Sequence, residues 1–290
     1  MRATTWKIAL VAAALALPLA ACGDDEADKG VADVDEEVSF DEGTTMAELN
    51  EAGKITIGTK FDQPLFGLKG PDGDPEGFDV EMGKIVAAKL GIEAENIEWV
   101  PTVSENREKY ISQGRVDIVI ATYTINDDRK QLVDFAGPYF NAGQMLMVTA
   151  DNDDISGPDD LAGKTVCSAR GSTPAQNMKD NYPDAKLELA AEYGDCLEPL
   201  RNGQVDALTT DNVILSGYVA QNDGEFKLAG DPFTEEPYGI GLEKGDDEFR
   251  DFLNDVIEDS YENGEWEDAW DKTAGTVLDL PDEFPKVDRY

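Results

Sequence analysis

Histidine is missing from all 290 residues, which removes Ser-His-Asp and Cys-His catalysis together with every zinc site that needs an imidazole. Basic residues are scarce. There are 24 lysines and arginines against 62 aspartates and glutamates, a formal charge of minus 38. Clustered cations able to neutralise a phosphate backbone are therefore lacking, and nucleic acid is excluded as a partner. Cysteine occurs only as Cys22, Cys167 and Cys196. Past the N-terminal start, no stretch is apolar enough to cross a bilayer. What remains is chain enough for one large or two ordinary domains with a real core. The many acids read mostly as a solvated face that aids solubility and names no partner.

The first 21 residues read as a processing signal. Arg2 and Lys7 supply a positive start, residues 8–17 an apolar run, and Leu19-Ala20-Ala21-Cys22 a small-residue cleavage site. That tetrapeptide resembles the lipobox of bacterial lipoproteins, which implies lipidation of Cys22 and a place on the outer face of the cytoplasmic membrane, with a plain secretory signal and an incidental cysteine as the alternative. Removal of the signal leaves 22 basic and 62 acidic residues, or minus 40. Residues 22–45 are acidic and poor in large apolar side chains, so they are expected to form a flexible tether.

Periodicity places α/β structure beyond the tether. Ile55-Thr56-Ile57-Gly58-Thr59 alternates as a strand, and Lys60-Phe61-Asp62-Gln63-Pro64 is the loop at its carboxyl end. Pro71-Asp72-Gly73-Asp74-Pro75 is a turn without the ligand spacing of a calcium loop. Phe78, Met82, Ile85, Val86 and Leu90 keep helical spacing, with Asp79 as the expected N-cap. Val116 and the run Ile118-Val119-Ile120-Ala121 read as a buried strand. Thr122, Thr124 and Arg129 follow at its carboxyl end, where open α/β sheets bind ligands. Two hydroxyls and a planar guanidinium are parts for holding a small carboxylate.

Gln113-Gly114-Arg115-Val116-Asp117-Ile118 recurs in pattern as Asn202-Gly203-Gln204-Val205-Asp206-Ala207. Two lobes of one plan would produce that repeat, as would ordinary helix-glycine-strand joins in any α/β protein. Residues 144–148 read as a strand crossing between lobes, and Lys164-Thr165-Val166-Cys167 as a strand of the second. In Gly171-Ser172-Thr173-Pro174, Ser172 or Thr173 caps a helix that opens on Pro174 and offers free N–H donors to an anion. Tyr238-Gly239-Ile240-Gly241-Leu242 reads as the return crossing. Phe249, Phe252, Leu253, Val256 and Ile257 make an amphipathic helix, a short segment follows at Trp266 to Trp270, and the last residues look like a loose tail.

Gly77-Phe78-Asp79-Val80-Glu81-Met82, with Val86-Ala87 and Leu90 beyond it, resembles the signature of the polar amino-acid-binding proteins of bacterial ABC importers. The likeness extends through Thr122 to Arg129, Val133-Asp134-Phe135-Ala136-Gly137-Pro138-Tyr139, Gly171-Ser172-Thr173, Asp211 and Tyr238-Gly239-Ile240-Gly241. Gly58-Thr59-Lys60-Phe61-Asp62-Gln63-Pro64, Ala121-Thr122-Tyr123-Thr124-Ile125-Asn126 and Ala207-Leu208-Thr209-Thr210-Asp211 narrow it toward the glutamate-binding lipoproteins of Gram-positive bacteria. The resemblance implies an α/β fold of two lobes, the type II periplasmic-binding-protein plan. Residues 46–144 and 243–290 would form lobe one and residues 145–242 lobe two with the hinge strands. It also implies hinge motion at Met145 to Met147 and Gly239 to Gly241, a monomer, and docking on a permease with its own ATPase. No metal or organic cofactor is implied.

Carried over residue by residue, the resemblance has Arg129 grip the ligand's α-carboxylate, helped by Thr124 and the backbone at Thr122. Asp211 would accept the α-ammonium, and Thr173 with Ser172 and the adjoining N–H groups would complete the cradle. Phe61 would lie against the ligand stem. For a second carboxylate the candidate cations are Lys60, Arg107 and Arg170, Lys60 having the best position. Glutamate would satisfy two cations, whereas glutamine would leave the distal one uncompensated in a closed cleft. Alternatively Arg129 is a surface ion pair, Thr124 a turn hydroxyl and Asp211 an N-cap. Cys167 and Cys196, an even pair in an exported chain, are expected to form a disulfide, with two buried thiols as the alternative.

Two competing classes remain. Enzymes of the same architecture, such as cyclohexadienyl dehydratases and lytic transglycosylases, would use Glu105 or Asp62 as general acid, yet no paired carboxylates at strand ends call for that role. A sensory or adhesion module would keep the cleft and lack a permease.

Overall fold

The computed structural model describes residues 32–35 and 38–290, so the signal segment, Cys22 and much of the expected tether lie outside the described residues. Two five-stranded sheets organise the chain. In the first, Ile97–Pro101, Ile55–Thr59 and Ile118–Val119 run parallel, followed by Glu236–Leu242 and Asp134–Ala142. In the second, Lys186–Ala190, Thr165–Ala169 and Ala207–Asp211 run parallel, followed by Gln144–Thr149 antiparallel and then Phe226–Ala229. Each sheet thus carries three parallel strands and then an antiparallel strand from the crossing region, one plan used twice.

The sequence repeat has a matching physical role in both sheets. Gly114 and Gly203 stand at φ +60° and +68°, left-handed positions that let the chain turn from helix into the third parallel strand. Asp117 then accepts the Thr56 N–H through Oδ2 at 2.7 Å, and Asp206 accepts the Thr165 N–H in the same way at 2.7 Å. One carboxylate therefore ties the start of the neighbouring parallel strand in each lobe. The repeat is structural.

The signature segment begins on Gly77, at φ +135°, where a Cβ would lie 2.4 Å from the Phe66 carbonyl oxygen. Only glycine fits that approach. The helix Phe78–Lys89 buries Phe78, Met82, Ile85 and Val86, and Phe78 meets Trp266 and Trp270 edge-on at 5.0 and 5.4 Å. Asp79 does not cap it, contrary to expectation, because Gly77 holds the cap position and Asp79 lies fully buried in the first turn.

The crossings differ from the predicted ones. The chain leaves the first sheet at Ala142 and enters the second at Gln144, and it returns between Ala229 and Glu236. Residues 236–242 therefore belong to the first sheet, not to lobe two. Gly239 and Gly241 looked like hinge glycines but serve close packing: Cβ atoms there would fall 2.7 Å from Ile125 and from the Tyr123 ring.

Two further expectations are corrected. The predicted tether does not reach residue 45 as a free chain, since Phe40 meets Phe252 edge-on at 5.6 Å and Thr44 caps the helix Thr45–Ala52. The C-terminal tail is not loose either. Phe284 stacks on Tyr261 at 4.6 Å, Val287 is buried, and Tyr290 Oη accepts the Phe135 N–H at 2.9 Å. Two apolar anchors and a partly buried hydrogen bond are enough to pin a segment without regular structure.

Cys167 and Cys196 form a disulfide, with S–S 2.01 Å and Cα atoms 5.8 Å apart, closing 29 residues of the second lobe. Replacing both with serine should lower the unfolding free energy by about 2–4 kcal/mol through restored freedom of the unfolded chain. Guanidinium melts would show a lower midpoint. An unchanged midpoint would mean that the bridge adds no stability.

Candidate functional site

The carboxyl ends of four parallel strands face one another across the lobes, and each ends on a residue singled out from the sequence. Ile55–Thr59 runs into Lys60, Ile118–Val119 leads to Thr122 and Thr124, Thr165–Ala169 leads to Ser172 and Thr173, and Ala207–Asp211 ends on Asp211. This is where open α/β sheets leave backbone and side-chain groups free for ligands.

On the first lobe three cations lie together out of water. Lys60, Arg107 and Arg129 are 4%, 2% and 7% exposed. Lys60 Nζ donates to Ser104 Oγ at 2.8 Å. Arg107 donates Nε–H to the Ser104 carbonyl at 3.3 Å and Nη1–H to the carbonyls of Ala121 and Thr122 at 3.1 and 3.2 Å. The Arg107 and Arg129 guanidinium carbons stand 4.2 and 5.0 Å from the Tyr123 ring centre. Among the described residues, only Arg129 of the three has a carboxylate within ion-pair reach, Glu108 at 3.3 Å. Burial, reinforced by Arg107, pushes the Lys60 ammonium down to about 7 and Arg129 to about 10.

Asp211 faces them from the second lobe. Its Oδ2 accepts from Tyr238 Oη at 2.6 Å, while its buried Oδ1 has no hydrogen-bond partner. Burial, aided by the negative charge of Glu236, pushes its pKa up to about 8. A carboxylate with one oxygen satisfied and the other bare is arranged for a donor that the protein itself does not supply. Asp211 does stand at the N-cap position of Asn212–Gln221, but its side chain makes no capping bond there.

The lobes already touch around this region. Arg129 Nη1 donates to the Thr124 carbonyl at 2.6 Å and Nη2 to the Gly171 carbonyl of the other lobe at 3.2 Å. Thr124 and Thr173, one from each lobe, have hydroxyl oxygens 3.2 Å apart. Asp62 accepts the N–H groups of Tyr193 and Gly194 at 3.1 and 3.4 Å, and Tyr218 Oη donates to its carbonyl at 2.9 Å.

Several sequence assignments change. The Thr122 N–H, expected to help hold a carboxylate, donates instead to Asp79 Oδ2 at 2.7 Å, and the Thr122 hydroxyl lies 2.9 Å from Gln63 Oε1. Thr122 adopts φ +45°, a strained value for a β-branched residue, and the buried Asp79 carboxylate holds it there. Asp79 is itself fixed by Tyr139 Oη at 2.6 Å and pushed up to about 7 by burial. Ser172 spends its hydroxyl on capping: it accepts from the Ala175 N–H at 3.1 Å and donates to the Ala169 carbonyl at 2.7 Å. Pro174 stands one position inside the helix, which opens on Thr173.

Arg170 is not brought to the cluster. It is exposed, donates to the carbonyls of Leu189 and Ala190, and pairs with Glu105 at 3.4 Å. Phe61 is half-buried in its loop. Glu105 and Asp62 are engaged in the contacts just given. Sequence reasoning missed Asp79, Gln63, Tyr238 and Glu236. Asp79 was visible inside the signature helix, but Glu236 carried no signal in a chain with 62 acids. Among the described residues there is no group of three or more cysteine, aspartate or glutamate side chains that could hold a metal ion.

Comparison with known proteins adds to this geometry. Residues 55–276 match the bacterial extracellular solute-binding proteins, family 3. The glutamate-binding protein GluB of Corynebacterium efficiens is 40% identical over 261 residues, covering 87% of this chain and 84% of GluB. The glutamine-binding protein of Geobacillus stearothermophilus is 37% identical over 249 residues, covering 84% of this chain and 95% of that protein. Among solved structures, an ancestral arginine-binding protein bound to glutamine aligns with a TM-score of 0.72 at 35% identity, over 76% of this chain and 97% of that one.

Asp211 sets a stability test in the absence of amino acids. Its folded pKa of about 8 lies above the unfolded value of 3.8, so its favourable contribution is complete below pH 3.8 and is lost as pH rises to about 8. Asp211→Asn lacks this loss. Its stability relative to the parent should therefore grow between pH 4 and 8 and then level off in urea melts. A difference that does not vary with pH would show that the carboxylate is not shifted.

Proposed function

The chain belongs to the bacterial extracellular solute-binding proteins, family 3, and we propose that it captures an L-amino acid, glutamate first, between its lobes for delivery to an ABC permease. The observation that carries this reading is the pairing of unmet groups across the cleft. Two cations without carboxylate partners, beside Arg129, stand on one side and a bare carboxylate oxygen of Asp211 on the other. An α-amino acid carries the complementary charges on one carbon. Arg129 takes the α-carboxylate, Asp211 Oδ1 the α-ammonium, and Lys60 the distal carboxylate with Arg107 behind it. Because Arg129 and Asp211 belong to different lobes, the ligand favours the closed state by contacts that an open cleft cannot make.

Glutamine is the second reading, favoured by the relatives named for it and by Lys60 itself. An ammonium lowered to about 7 loses its proton readily when no anion arrives, which reduces the cost of a neutral amide beside it. Catalysis has less support. Glu105 is exposed and paired with Arg170, and Asp62 is occupied by backbone N–H groups, so neither is free to pass a proton to a bound molecule.

The protein acts as a monomer, tethered by lipid at Cys22 on the outer face of the cytoplasmic membrane. The permease and its ATPase are separate chains.

Calorimetry against the twenty amino acids tests the reading. Glutamate should bind most tightly. Lys60→Met should weaken glutamate roughly 10- to 100-fold, the range for one charged hydrogen bond, and glutamine far less. Arg129→Met should abolish measurable binding of both. Equal losses for the two ligands on Lys60→Met would remove Lys60 from side-chain recognition, and no binding by any amino acid would overturn the assignment.

A further inference from the structure

Glu236 is the first residue of the strand returning to the first lobe and is paired in register with Ala142, the last residue of the strand leaving it. It is 3% exposed. Its Oε2 accepts the hydroxyl of Thr124 at 2.7 Å from the first lobe and that of Thr173 at 2.6 Å from the second. Its Oε1 accepts the Thr234 hydroxyl at 2.9 Å, and Thr234 Oγ1 in turn accepts the Gln144 N–H at 3.0 Å. One carboxylate therefore gathers both lobes and both crossing segments.

We propose that Glu236 is a positioning residue that clasps one threonine from each lobe, holding the cleft closed and setting which way the two hydroxyls face a ligand. The first part follows from geometry. Thr124 and Thr173 hang on bodies that separate when the cleft opens, so a single oxygen at the hinge cannot keep both; the second bond exists only in the closed state. Hydrogen bonds to an ionised acceptor are about twice as strong as neutral ones, and here they form out of water.

The second part follows from proton counting. Each hydroxyl has one proton, and both are directed at Oε2 in preference to the neutral oxygen 3.2 Å away. Thr124 and Thr173 then present lone pairs to the cleft. They act as acceptors beside Asp211, not as donors to the α-carboxylate, which is left to Arg129. The hydroxyls thus join the ammonium side of the site.

The closure part stands without any assumption about the ligand, whereas the hydroxyl part rests on the amino-acid reading above. Small-angle scattering of the amino-acid-free protein, compared with Glu236→Ala, tests closure. The variant should show a larger radius of gyration at unchanged far-ultraviolet dichroism. Calorimetry with glutamate tests the rest. Glu236→Ala should weaken binding roughly 10- to 100-fold, with Glu236→Gln between it and the parent. Adding Thr173→Val should cost less in the Glu236→Ala background than in the parent, because the two side chains act through one bond. If Glu236→Ala does not fold, Glu236→Gln carries the same comparisons. An unchanged radius, tighter glutamate binding, or fully additive losses would each overturn the proposal. Should no amino acid bind, scattering still decides the clasp while the ligand reading alone fails.

Discussion

Everything at the cleft depends on positive charges held out of water with too few negative ones beside them. Lys60, Arg107 and Arg129 are buried on one lobe of a protein with 62 acidic residues, and none of those acids lies within ion-pair reach of the first two among the described residues. Desolvating a cation without a partner is costly, and here the cost appears as an ammonium near 7 and a guanidinium near 10. Carbonyls of Ser104, Ala121 and Thr122, the Ser104 hydroxyl and the Tyr123 ring make the arrangement tolerable. They do not neutralise it. In the proposed reading the ligand carboxylates supply the negative charge that these groups do not.

The fold supplies the rest by using one plan twice. Strand ends in each lobe point their free groups toward the same gap, and matched aspartates, Asp117 and Asp206, secure the start of the strand beside them. Rigid supports then reach individual site atoms. Asp79 and Tyr139 hold Thr122 in its left-handed conformation, and the Thr122 carbonyl in turn accepts from Arg107. Tyr238 holds one Asp211 oxygen and leaves the other bare. The Asp79 and Tyr139 support lies within the first lobe, whereas the Tyr238 bond reaches Asp211 across the lobes.

Much of this architecture was legible in the sequence because it is written in local patterns. The strand at Ile55–Thr59, the helix after Gly77 and the repeated glycine-valine-aspartate turn depend on alternation, helical spacing and left-handed glycine. Lys60 stood out as a cation directly after an apolar strand and Arg129 as one in the polar segment beyond another, whereas Asp211 was reached only through the family resemblance. The failures share a cause. Asp79 as a cap, Gly239 and Gly241 as hinge points, and the tail as loose were inferred from neighbours along the chain, whereas each is decided by contacts from far away: Thr122 and Tyr139, Ile125 and Tyr123, Tyr261 and Phe135. Glu236 was invisible for the same reason, since two of its three side-chain partners, Thr124 and Thr173, come from distant segments.

The most direct measurement is a crystal structure of the protein grown with glutamate. The account predicts the ligand α-carboxylate on the Arg129 guanidinium, its ammonium within hydrogen-bond distance of Asp211 Oδ1, and its distal carboxylate at Lys60 Nζ. A bound glutamate that leaves Asp211 Oδ1 without a partner, or that places neither carboxylate against Arg129, would contradict it.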